Sequence, residues 1–300
     1  MSGWETQGQM SIQRMCELTG VSRASFYRDW EQKAPGEAET ALRDAVQRTA
    51  LANRGYGYRR IAPLLQRAGL VVGEEKVRRI LRNDNLLAVR RRKFVVTTDA
   101  NHRFQVHPNL AESLELSGVD QLWVADITYI RLRGEFVFLA VVLDAYSRKV
   151  IGWELGRTLE TRLPLAALEA AIASRKPKPG LVHHSDRGTQ YASNDYVKRL
   201  EGCGAHLSMS RPARPWENGK CESFLKTLKG EEIDARRYSS FAELQQHLEE
   251  FMEQIYNKVR LHSALGYHSP DEFEQSQGPA EKWTPAALKF LRHEEVHPDV

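Results

Sequence analysis

Hydrophobic residues at the start of the chain recur at helical spacing. Residues 11–18 and 23–30 predict two short helices around a turn, with Gly20 in the turn and Ser22 capping the second helix. Six apolar side chains would form the small core between these helices: Ile12, Met15, Leu18, Val21, Phe26 and Trp30. This spacing predicts a helix-turn-helix unit over residues 1–34, although an ordinary helical hairpin has the same short pattern.

A second helical region follows a Pro-Gly break. Helical periodicity runs through residues 37–53 and returns twice before residue 84. The last helix of this region, Glu74–Asn83, has three apolar positions that would point inward: Val77, Ile80 and Leu81. We therefore expect a second helical DNA-binding module at residues 35–87. Because the next stretch is basic and has no clear period, we expect a linker at residues 88–115.

The pattern changes to strands at Gln121. Three apolar stretches predict adjacent strands at residues 121–132, 135–144 and 149–155. Helices and strands then alternate: a helix at 161–174, a strand at 181–185, a helix at 193–201, a strand at 205–210 and a helix beginning near Asn218. This order predicts an α/β fold of ribonuclease-H-like type, with a mixed five-stranded sheet, over residues 116–235. Residues 236–300 would form a C-terminal extension with a long helix at 241–256 and a tail.

Composition places the chain among globular proteins that do not cross a membrane. It has 300 residues, of which 41% are hydrophobic and 27% charged, and no apolar run comes near about 18 residues. The N-terminus lacks the basic and apolar regions of an export signal, so we expect a cytoplasmic protein. Three scattered cysteines suggest reduced thiols: Cys16, Cys203 and Cys221. His102 and His107 have no Cys-x-x-Cys partner, which argues against structural zinc.

The net charge of +4 is unevenly distributed. Residues 1–110 hold nineteen Lys and Arg against eleven Asp and Glu, whereas the remainder holds 24 against 28. A basic front half suits a polyanion, because neutralising phosphates releases counterions; a solvated basic surface without a partner is the alternative. The candidate DNA contacts in this half are Arg23, Ser25, Tyr27, Arg28, Arg59, Arg60, Arg78, Arg79, Arg82, Arg90, Arg91, Arg92 and Lys93.

Three acidic residues stand where an α/β sheet places its ligands. Asp126 lies within the first predicted strand, where a charge is costly unless it is paired or metal-bound. Asp186 follows the strand at 181–185, and Glu222 lies near the start of the next helix; 59 and 35 residues separate the three acids. Two-metal cleavage of a phosphodiester needs acids that converge from different elements. The three are the candidate catalytic and metal-binding residues, although any one alone would more often be an ion-pair partner or a helix cap.

The stretches around these acids resemble the DDE transposase and retroviral-integrase superfamily. They are Trp123-Val-Ala-Asp-Ile-Thr-Tyr129, His183-His-Ser-Asp-Arg-Gly-Thr-Gln-Tyr191 and Glu217-Asn-Gly-Lys-Cys-Glu-Ser-Phe-Leu-Lys-Thr-Leu-Lys229. Two further stretches resemble the second-frame product of bacterial insertion sequences of the IS-three group: Gly55-Tyr-Gly-Tyr-Arg-Arg-Ile61 and Tyr256-Asn-Lys-Val-Arg-Leu-His-Ser-Ala-Leu-Gly-Tyr267, followed by Ser269-Pro270. Leu261 stands where the family often has Pro, and Cys221 where a small residue is common; neither removes a carboxylate.

The resemblance implies a DNA transposase that cleaves the 3′ ends of an element and transfers them to new DNA. It implies Mg²⁺ or Mn²⁺ as the cofactor, with two ions per active site on Asp126, Asp186 and Glu222, and oxygen ligands suit such hard cations. The implied partners are the terminal inverted repeats, target DNA and further copies of the chain, at the bacterial nucleoid. The chain has no leucine-zipper heptad, which in this family commonly belongs to an upstream reading frame, so it either acts alone or works with that product, including as part of a fusion.

Further candidate DNA contacts flank Glu222. Lys226 and Lys229 follow it by four and seven residues and share its helix face, about 6 and 10 Å along the axis. They would lie beside the scissile phosphate, or else form a solvent-facing pair. The preceding loop supplies three more candidates: Arg211, Arg214 and Trp216. The indole could stack on an unstacked base, but we expect it to pack under the helix.

Other chemistries fit the pattern less well. Three hydroxyls could be proposed as covalent nucleophiles, but turn or core packing explains each of them: Ser185, Tyr191 and Ser210. A DNA-binding regulator of the element with an inactive core is one alternative function. A structure-selective nuclease of the same fold is another.

Overall fold

The structure, a computed structural model, begins with a short capped helix. It describes residues 11–20, 22–24, 37–53, 55–87, 107–132, 134–211 and 214–277. Helix α1 spans Ile12–Thr19. The Ser11 hydroxyl accepts a hydrogen bond from the Arg14 N–H at 3.3 Å, and Gly20 ends the helix with a φ of 67°.

The core predicted for this first unit differs at one position. Cys16 is the buried side chain of α1, whereas Leu18 is 63% exposed, so the prediction that Leu18 is buried is wrong. Cys16 and Leu18 are two positions apart in the helix, so their side chains point about 200° apart. The short apolar pattern did not determine which side of α1 is covered. Several residues of this unit lie outside the described residues: Val21, Phe26 and Trp30 of the predicted core, and the predicted DNA contacts Ser25, Tyr27 and Arg28.

Three helices pack together after residue 36. They are α2 (Glu37–Ala52), α3 (Tyr58–Arg67) and α4 (Glu74–Asn83). Their shared core includes Val46, Tyr56, Ile61, Leu65, Val77, Ile80 and Leu81, which confirms the inward positions predicted for α4. Arg43 and Gln47 of α2 both bind the Asp84 carboxylate, directly after α4. Polar contacts as well as apolar packing therefore hold the three helices of this unit together.

A mixed five-stranded sheet forms the centre of the second half of the chain. Its strands are β1 (Leu122–Arg131), β2 (Phe136–Asp144), β3 (Val150–Gly156), β4 (Val182–Ser185) and β5 (His206–Met209). The order across the sheet is β3-β2-β1-β4-β5. Strands β1 to β3 are antiparallel neighbours, and β4 and β5 run parallel to β1. This topology confirms the predicted sheet and its ribonuclease-H-like type.

Helices cover both faces of this sheet. One face carries α5 (Arg162–Arg175) and α6 (Asn194–Gly202), and the other carries α7 (Gly219–Leu228) and α8 (Phe241–Glu249). Successive residues of β1 alternate between the two cores: Leu122 and Val124 belong to the core under α7 and α8, whereas Trp123 and Ala125 belong to the core under α5 and α6. The same alternation directs the side chain of Asp126 toward α7.

The C-terminal part of the described chain contains two stretches of π-helix. One, Lys229–Ile233, follows α7, and the other, Glu250–Tyr256, continues α8. The helix predicted at residues 241–256 is therefore present, but its hydrogen bonding changes halfway, which apolar periodicity over two turns cannot reveal. Helix α9 (Pro270–Ser276) begins with a capping box. Within the described ranges, no helix is long and apolar enough to span a membrane.

A buried ion-pair cluster attaches the three-helix unit to the second half of the chain. Arg260, which is 2% exposed, contacts the Glu231 carboxylate at two N···O distances of 2.8 Å. Arg60 of α3 contacts the same carboxylate at 2.9 Å. A Cβ at Gly55 would lie 2.8 Å from Glu231 Cγ, so glycine is needed for this close approach.

Candidate catalytic site

Asp126 lies in the middle of the central strand, on the face that α7 covers. It is opposite Val141 of β2, and its Oδ1 accepts a hydrogen bond from the Ile127 N–H at 2.8 Å. Burial is the main cause that raises the pKa of Asp126 to about 7, and the like charge of Asp186 is the second. One hydrogen bond does not offset this loss of hydration, so a cation would stabilise the carboxylate.

Asp186 follows β4 directly, at the carboxyl end of that strand. In the parallel register of β1 and β4, Val124 is opposite His184, so two further residues along each strand bring Asp186 beside Asp126. The Gly188 N–H donates to Asp186 Oδ1 at 2.9 Å, and a Cβ at Gly188 would lie only 3.0 Å from that oxygen. A tight turn that favours glycine therefore orients this carboxylate.

Glu222 comes to the two aspartates from a helix. It lies in the first turn of α7 and is exposed. The start of α7 is tied to the strand by Asn218, whose Nδ2 donates to the Ala125 carbonyl at 2.9 Å, one residue before Asp126. Glu222 also raises the pKa of Asp126, by less than Asp186 does. Tertiary folding thus brings Asp186 and Glu222, which are 60 and 96 residues further along the chain, near enough for their charges to act on Asp126.

The chemistry of this site fits a hard divalent cation. In the part of the chain that the structure describes, no three His, Cys, Asp or Glu side chains already surround a metal position. The three acids are nevertheless an oxygen-only donor set. Beside them, Tyr191 Oη and Asn218 Oδ1 are buried and have no hydrogen-bond partner among the described residues. Burial raises the pKa of Tyr191, and nearby Asp126 and Asp186 raise it further, so water around a cation could satisfy these atoms.

Lys229 lies beside the candidate site, and Lys226 lies on its solvent side. Lys226 is exposed, whereas the half-buried Lys229 places Nζ 5.0 Å from the centre of the Tyr129 ring. Burial lowers the pKa of Lys229 and the Asp126 carboxylate counteracts this. Sequence reasoning missed Tyr129, although its place three residues after Asp126 on the same strand was visible.

The loop before α7 leaves Trp216 exposed. Trp216 is 66% exposed, so the prediction that it packs under the helix is wrong. Its neighbour Glu217 takes the inner position and accepts hydrogen bonds from the Arg211 N–H at 2.7 Å and from Asn109 Nδ2 at 2.9 Å. Burial raises the pKa of Glu217, but these bonds and the Arg211 charge hold it below its usual value. The loop is therefore built around an anchored carboxylate.

The two arginines of this loop differ in their surroundings. Arg211 contacts Glu217 at 2.6 Å and Glu112 at 2.5 Å, whereas Arg214 is more exposed and lies 3.8 Å from Glu217. A phosphate would have to compete with these carboxylates for Arg211. The DNA contacts of both arginines and of Trp216 stay predictions.

A buried histidine ties β4 to β5 next to Asp186. His184 Nδ1 lies 2.8 Å from Ser208 Oγ and Nε2 lies 2.9 Å from Ser210 Oγ. Burial lowers the pKa of His184 to about 4, so the ring is neutral at pH 7. The Ser185 hydroxyl donates to the Asp186 carbonyl at 3.0 Å. These contacts give Ser185 and Ser210 the structural roles that the sequence favours over nucleophilic ones.

The basic residues predicted to contact DNA from the N-terminal half occupy different positions. Exposed side chains are Arg23, Arg59, Arg79 and Arg82. The guanidinium groups of Arg59 and Arg78 lie 5.4 and 5.7 Å from the centre of the Tyr58 ring. Arg60 instead points to Glu231. The linker residues Arg90, Arg91, Arg92 and Lys93 lie outside the described residues, and all of these DNA contacts stay predictions.

The raised pKa of Asp126 predicts how stability depends on pH in the absence of metal. The folded protein keeps this proton up to about pH 7, whereas an unfolded chain releases it near pH 4. The contribution of the Asp126 proton to the free energy of unfolding is therefore complete below about pH 4, and it is lost as the pH rises through 7. We expect Asp126→Asn to raise the free energy of unfolding at pH 8 by on the order of a few kcal/mol, and the melting temperature with it. Both increases should be smaller at pH 5.

Melting curves of the metal-free protein at both pH values test this. Glu253→Gln, which removes an exposed acid, is the control and should leave the melting temperature unchanged. Mg²⁺ should raise the melting temperature of the wild type and not that of Asp126→Asn. A lower melting temperature for Asp126→Asn at pH 8 without metal would contradict the prediction.

Family models match both parts of the chain. Residues 117–215 and 203–270 each match a model described as an integrase core domain, and residues 37–94 match one described as an HTH-like domain. Among solved structures, the chain is similar to the simian T-cell lymphotropic virus intasome, with 16% identity, 81% of this chain and 79% of that chain covered and a TM-score of 0.45. It is also similar to the HTLV-2 integrase catalytic core domain, with 14% identity, 53% and 98% coverage and a TM-score of 0.42.

Curated relatives match nearly the whole chain. A 31 kDa protein of insertion element IS600 from Shigella sonnei is 34% identical over 87% of this chain and 97% of its own length. The transposase for IS904 from Lactococcus lactis is 33% identical over 73% and 87%. The transposase InsF for IS3A from Escherichia coli K12 is 32% identical over 89% and 95%. The HTH-like and integrase core domains imply that the protein binds DNA. The chain belongs to the IS3 group of DDE transposases.

Proposed function

We propose that this transposase cleaves the 3′ ends of its insertion sequence and joins them to target DNA, using two Mg²⁺ or Mn²⁺ ions on Asp126, Asp186 and Glu222. The observation that supports this proposal is that the charges of Asp186, directly after a parallel strand, and of Glu222, on the facing helix, both act on the buried Asp126. Acids that converge in this way from different elements are what two-metal phosphoryl transfer requires.

Each acid has a distinct place in this proposal. Asp126 would bind both ions, and Asp186 and Glu222 would each bind one. When bound, the ions supply activation of the attacking oxygen and stabilisation of the departing 3′-oxygen. The protein contributes positioning, because the turn at Gly188 orients Asp186 and Asn218 fixes the start of α7 against β1. No covalent bond between protein and DNA is needed.

The surrounding residues would bind the DNA. The helical units at residues 1–34 and 35–87 would recognise the terminal inverted repeats, and the linker at 88–115 would track the phosphates toward the core at 116–235. Trp216, being exposed beside α7, is suited to stack on an unpaired base at the element's end. We expect several copies to assemble on the two ends, at the nucleoid in the bacterial cytoplasm, with or without a companion product of an upstream frame.

Lys226 and Lys229 are expected to contribute phosphate contacts next to the catalytic acids. Replacing both by glutamine should weaken DNA binding and flatten its dependence on salt, by about one unit of slope for each phosphate that is no longer neutralised. The measurement is the binding constant at several salt concentrations, with melting temperature as a check on folding. An unchanged salt dependence would show that neither lysine neutralises a phosphate.

Incubation with end-containing DNA and Mg²⁺ tests the proposed function. A transposase releases 3′ ends and then forms joined products. A DNA-binding regulator with an inactive core would shift the DNA without cutting it, and a nuclease of the same fold would cut without joining. Appearance of strand-transfer products supports the proposal, and their absence with fully bound end DNA contradicts it.

A further inference from the structure

A turn built around a buried carboxylate presents Arg148. Asp144 ends β2, is fully buried, and accepts hydrogen bonds from the N–H groups of Asp120 at 2.6 Å and of Tyr146 and Ser147 at 2.8 Å. The Arg148 N–H donates to the Asp144 carbonyl at 2.9 Å, and Arg148 itself has a φ of 64°. A left-handed conformation is strained for a residue that has a side chain. The turn thus holds Arg148 in a costly and well-defined position.

Lys220 projects toward the same region from α7. It shares a helix face with Phe224 and Thr227, and the Phe224 ring packs edge-on against Tyr256, with 4.8 Å between ring centres. Arg148 lies close enough to Tyr256 to counteract, with Arg260, the rise in the tyrosine's pKa that burial causes. Arg148 and Lys220 therefore approach the same aromatic cluster from a turn and from a helix.

Neither cation has a hydrogen-bond or ion-pair partner within the part of the chain that the structure describes, although the buried Asp144 carboxylate and the Arg148 charge both act on Lys220 from nearby. Both side chains are half-buried, and neither makes a hydrogen bond or an ion pair there; the contacts of nearby Asp144 go to the turn that it holds. Burial of an unpaired charge is unfavourable, and Lys220 also lies in the first turn of a helix, where the dipole disfavours a cation. An anionic ligand would relieve all of these costs.

We propose that Arg148 and Lys220 together bind one backbone phosphate of DNA, at a site separate from the catalytic carboxylates. The guanidinium suits a phosphate because its N–H groups match two phosphate oxygens, and the lysine adds a point charge. Lys220 and Glu222 are about 3 Å apart along the axis of α7 and point about 200° apart around it. The phosphate bound here is therefore not the one that is cleaved.

This contact would fix the DNA relative to the active site. Phosphate contacts set the register and orientation of a duplex without reading its sequence, and Lys220 stands on the same rigid helix as Glu222. The inference rests on the proposed function, because it assigns this phosphate to the DNA that the transposase cuts or joins.

Salt-dependent binding of the full-length protein tests the site. The probes are two duplexes, one of mixed sequence and one that carries the element's end. In the double variant Arg148→Gln/Lys220→Gln, the slope of log K against log salt should shrink by about 0.9, as expected when one phosphate is no longer neutralised. Shrinkage with both duplexes assigns the site to any DNA, and shrinkage with the end duplex alone assigns it to the element's end; either supports the inference.

The matched control removes the same charges from the opposite face of the sheet. Arg162 and Lys198 are exposed on α5 and α6, and Arg162→Gln/Lys198→Gln should leave the slope unchanged. Without DNA, Lys220→Met should melt no lower than the wild type, because the substitution removes a half-buried charge that has no ion-pair partner among the described residues. A lower melting temperature would mean that the protein itself compensates Lys220, and would overturn the inference.

Failure of the phosphate site and failure of the proposed function would give different results. An unchanged slope in the double variant, alongside a wild type that cuts and joins end DNA, would overturn the phosphate site alone. A wild type that binds end DNA but forms no products would overturn the proposed function, while the salt slope would still show whether the phosphate is bound.

Discussion

Replacing Asp126 by asparagine is expected to abolish 3′-end cleavage and strand transfer while DNA binding is retained. The change keeps the shape of the side chain and removes the charge on which both ions depend. Because bound metals contribute several kcal/mol to such reactions, and each 1.36 kcal/mol is a factor of ten in rate, the rate should fall on the order of a thousandfold or more. The measurement is the single-turnover rate on end-containing DNA with saturating Mg²⁺.

The control for this experiment is an acid outside the site. Glu154→Gln removes an exposed carboxylate from β3, two strands away from Asp126, and should cut at the wild-type rate. Glu222→Gln should also be strongly defective, because Glu222 is assigned to one of the two ions and the reaction needs both. Cleavage by Asp126→Asn within tenfold of the wild type would contradict the assignment of this carboxylate.

Replacing Glu231 by glutamine should produce the largest loss of stability. The carboxylate neutralises Arg260, which is buried, and Arg60 from the three-helix unit. Without this carboxylate, the guanidinium groups of Arg60 and Arg260, whose like charges repel each other, remain partly buried and without their ion-pair partner. Breaking a buried ion pair from one side typically costs 3 to 5 kcal/mol, which corresponds to a melting-temperature drop on the order of 10 °C.

A second ion pair between the same parts of the chain is the matched control. Arg67 of α3 contacts Glu272 at 2.9 Å, but both side chains are about 40% exposed. Exposed pairs contribute about 0 to 1 kcal/mol, so Arg67→Gln should lower the melting temperature by only a few degrees. Equal shifts for Glu231→Gln and Arg67→Gln would show that burial does not govern the attachment of the three-helix unit.

The three candidate acids could be proposed from the sequence because their signals are local. Asp126 interrupts an apolar strand, Asp186 follows a short one, and Glu222 begins a helix. Period-two and helical apolar patterns also predicted the order of strands and helices. The structure supplied the position of the meeting point: β4 ends at Ser185, so its parallel pairing sets Asp186 beside the middle of β1, where Asp126 lies.

Other features depended on contacts between residues far apart in the chain. Arg60 follows Arg59 in the sequence, and both were predicted to contact DNA. In the fold, however, Arg60 pairs with Glu231, which is 171 residues away. Trp216 looked like a core residue by its hydrophobicity, yet Glu217 occupies the inner position because Asn109 and Arg211 bind it there.

The sequence by itself therefore determined the element order and the fold class, since each of these follows from the apolar pattern along single segments, and it supplied three candidate acids. Only the tertiary structure decided which basic side chains form internal ion pairs and which, like Arg148 and Lys220, have no ion-pair partner among the described residues. The physical reason is that a charge is compensated by whatever group folding places within a few ångströms of it, and a linear pattern does not contain that distance.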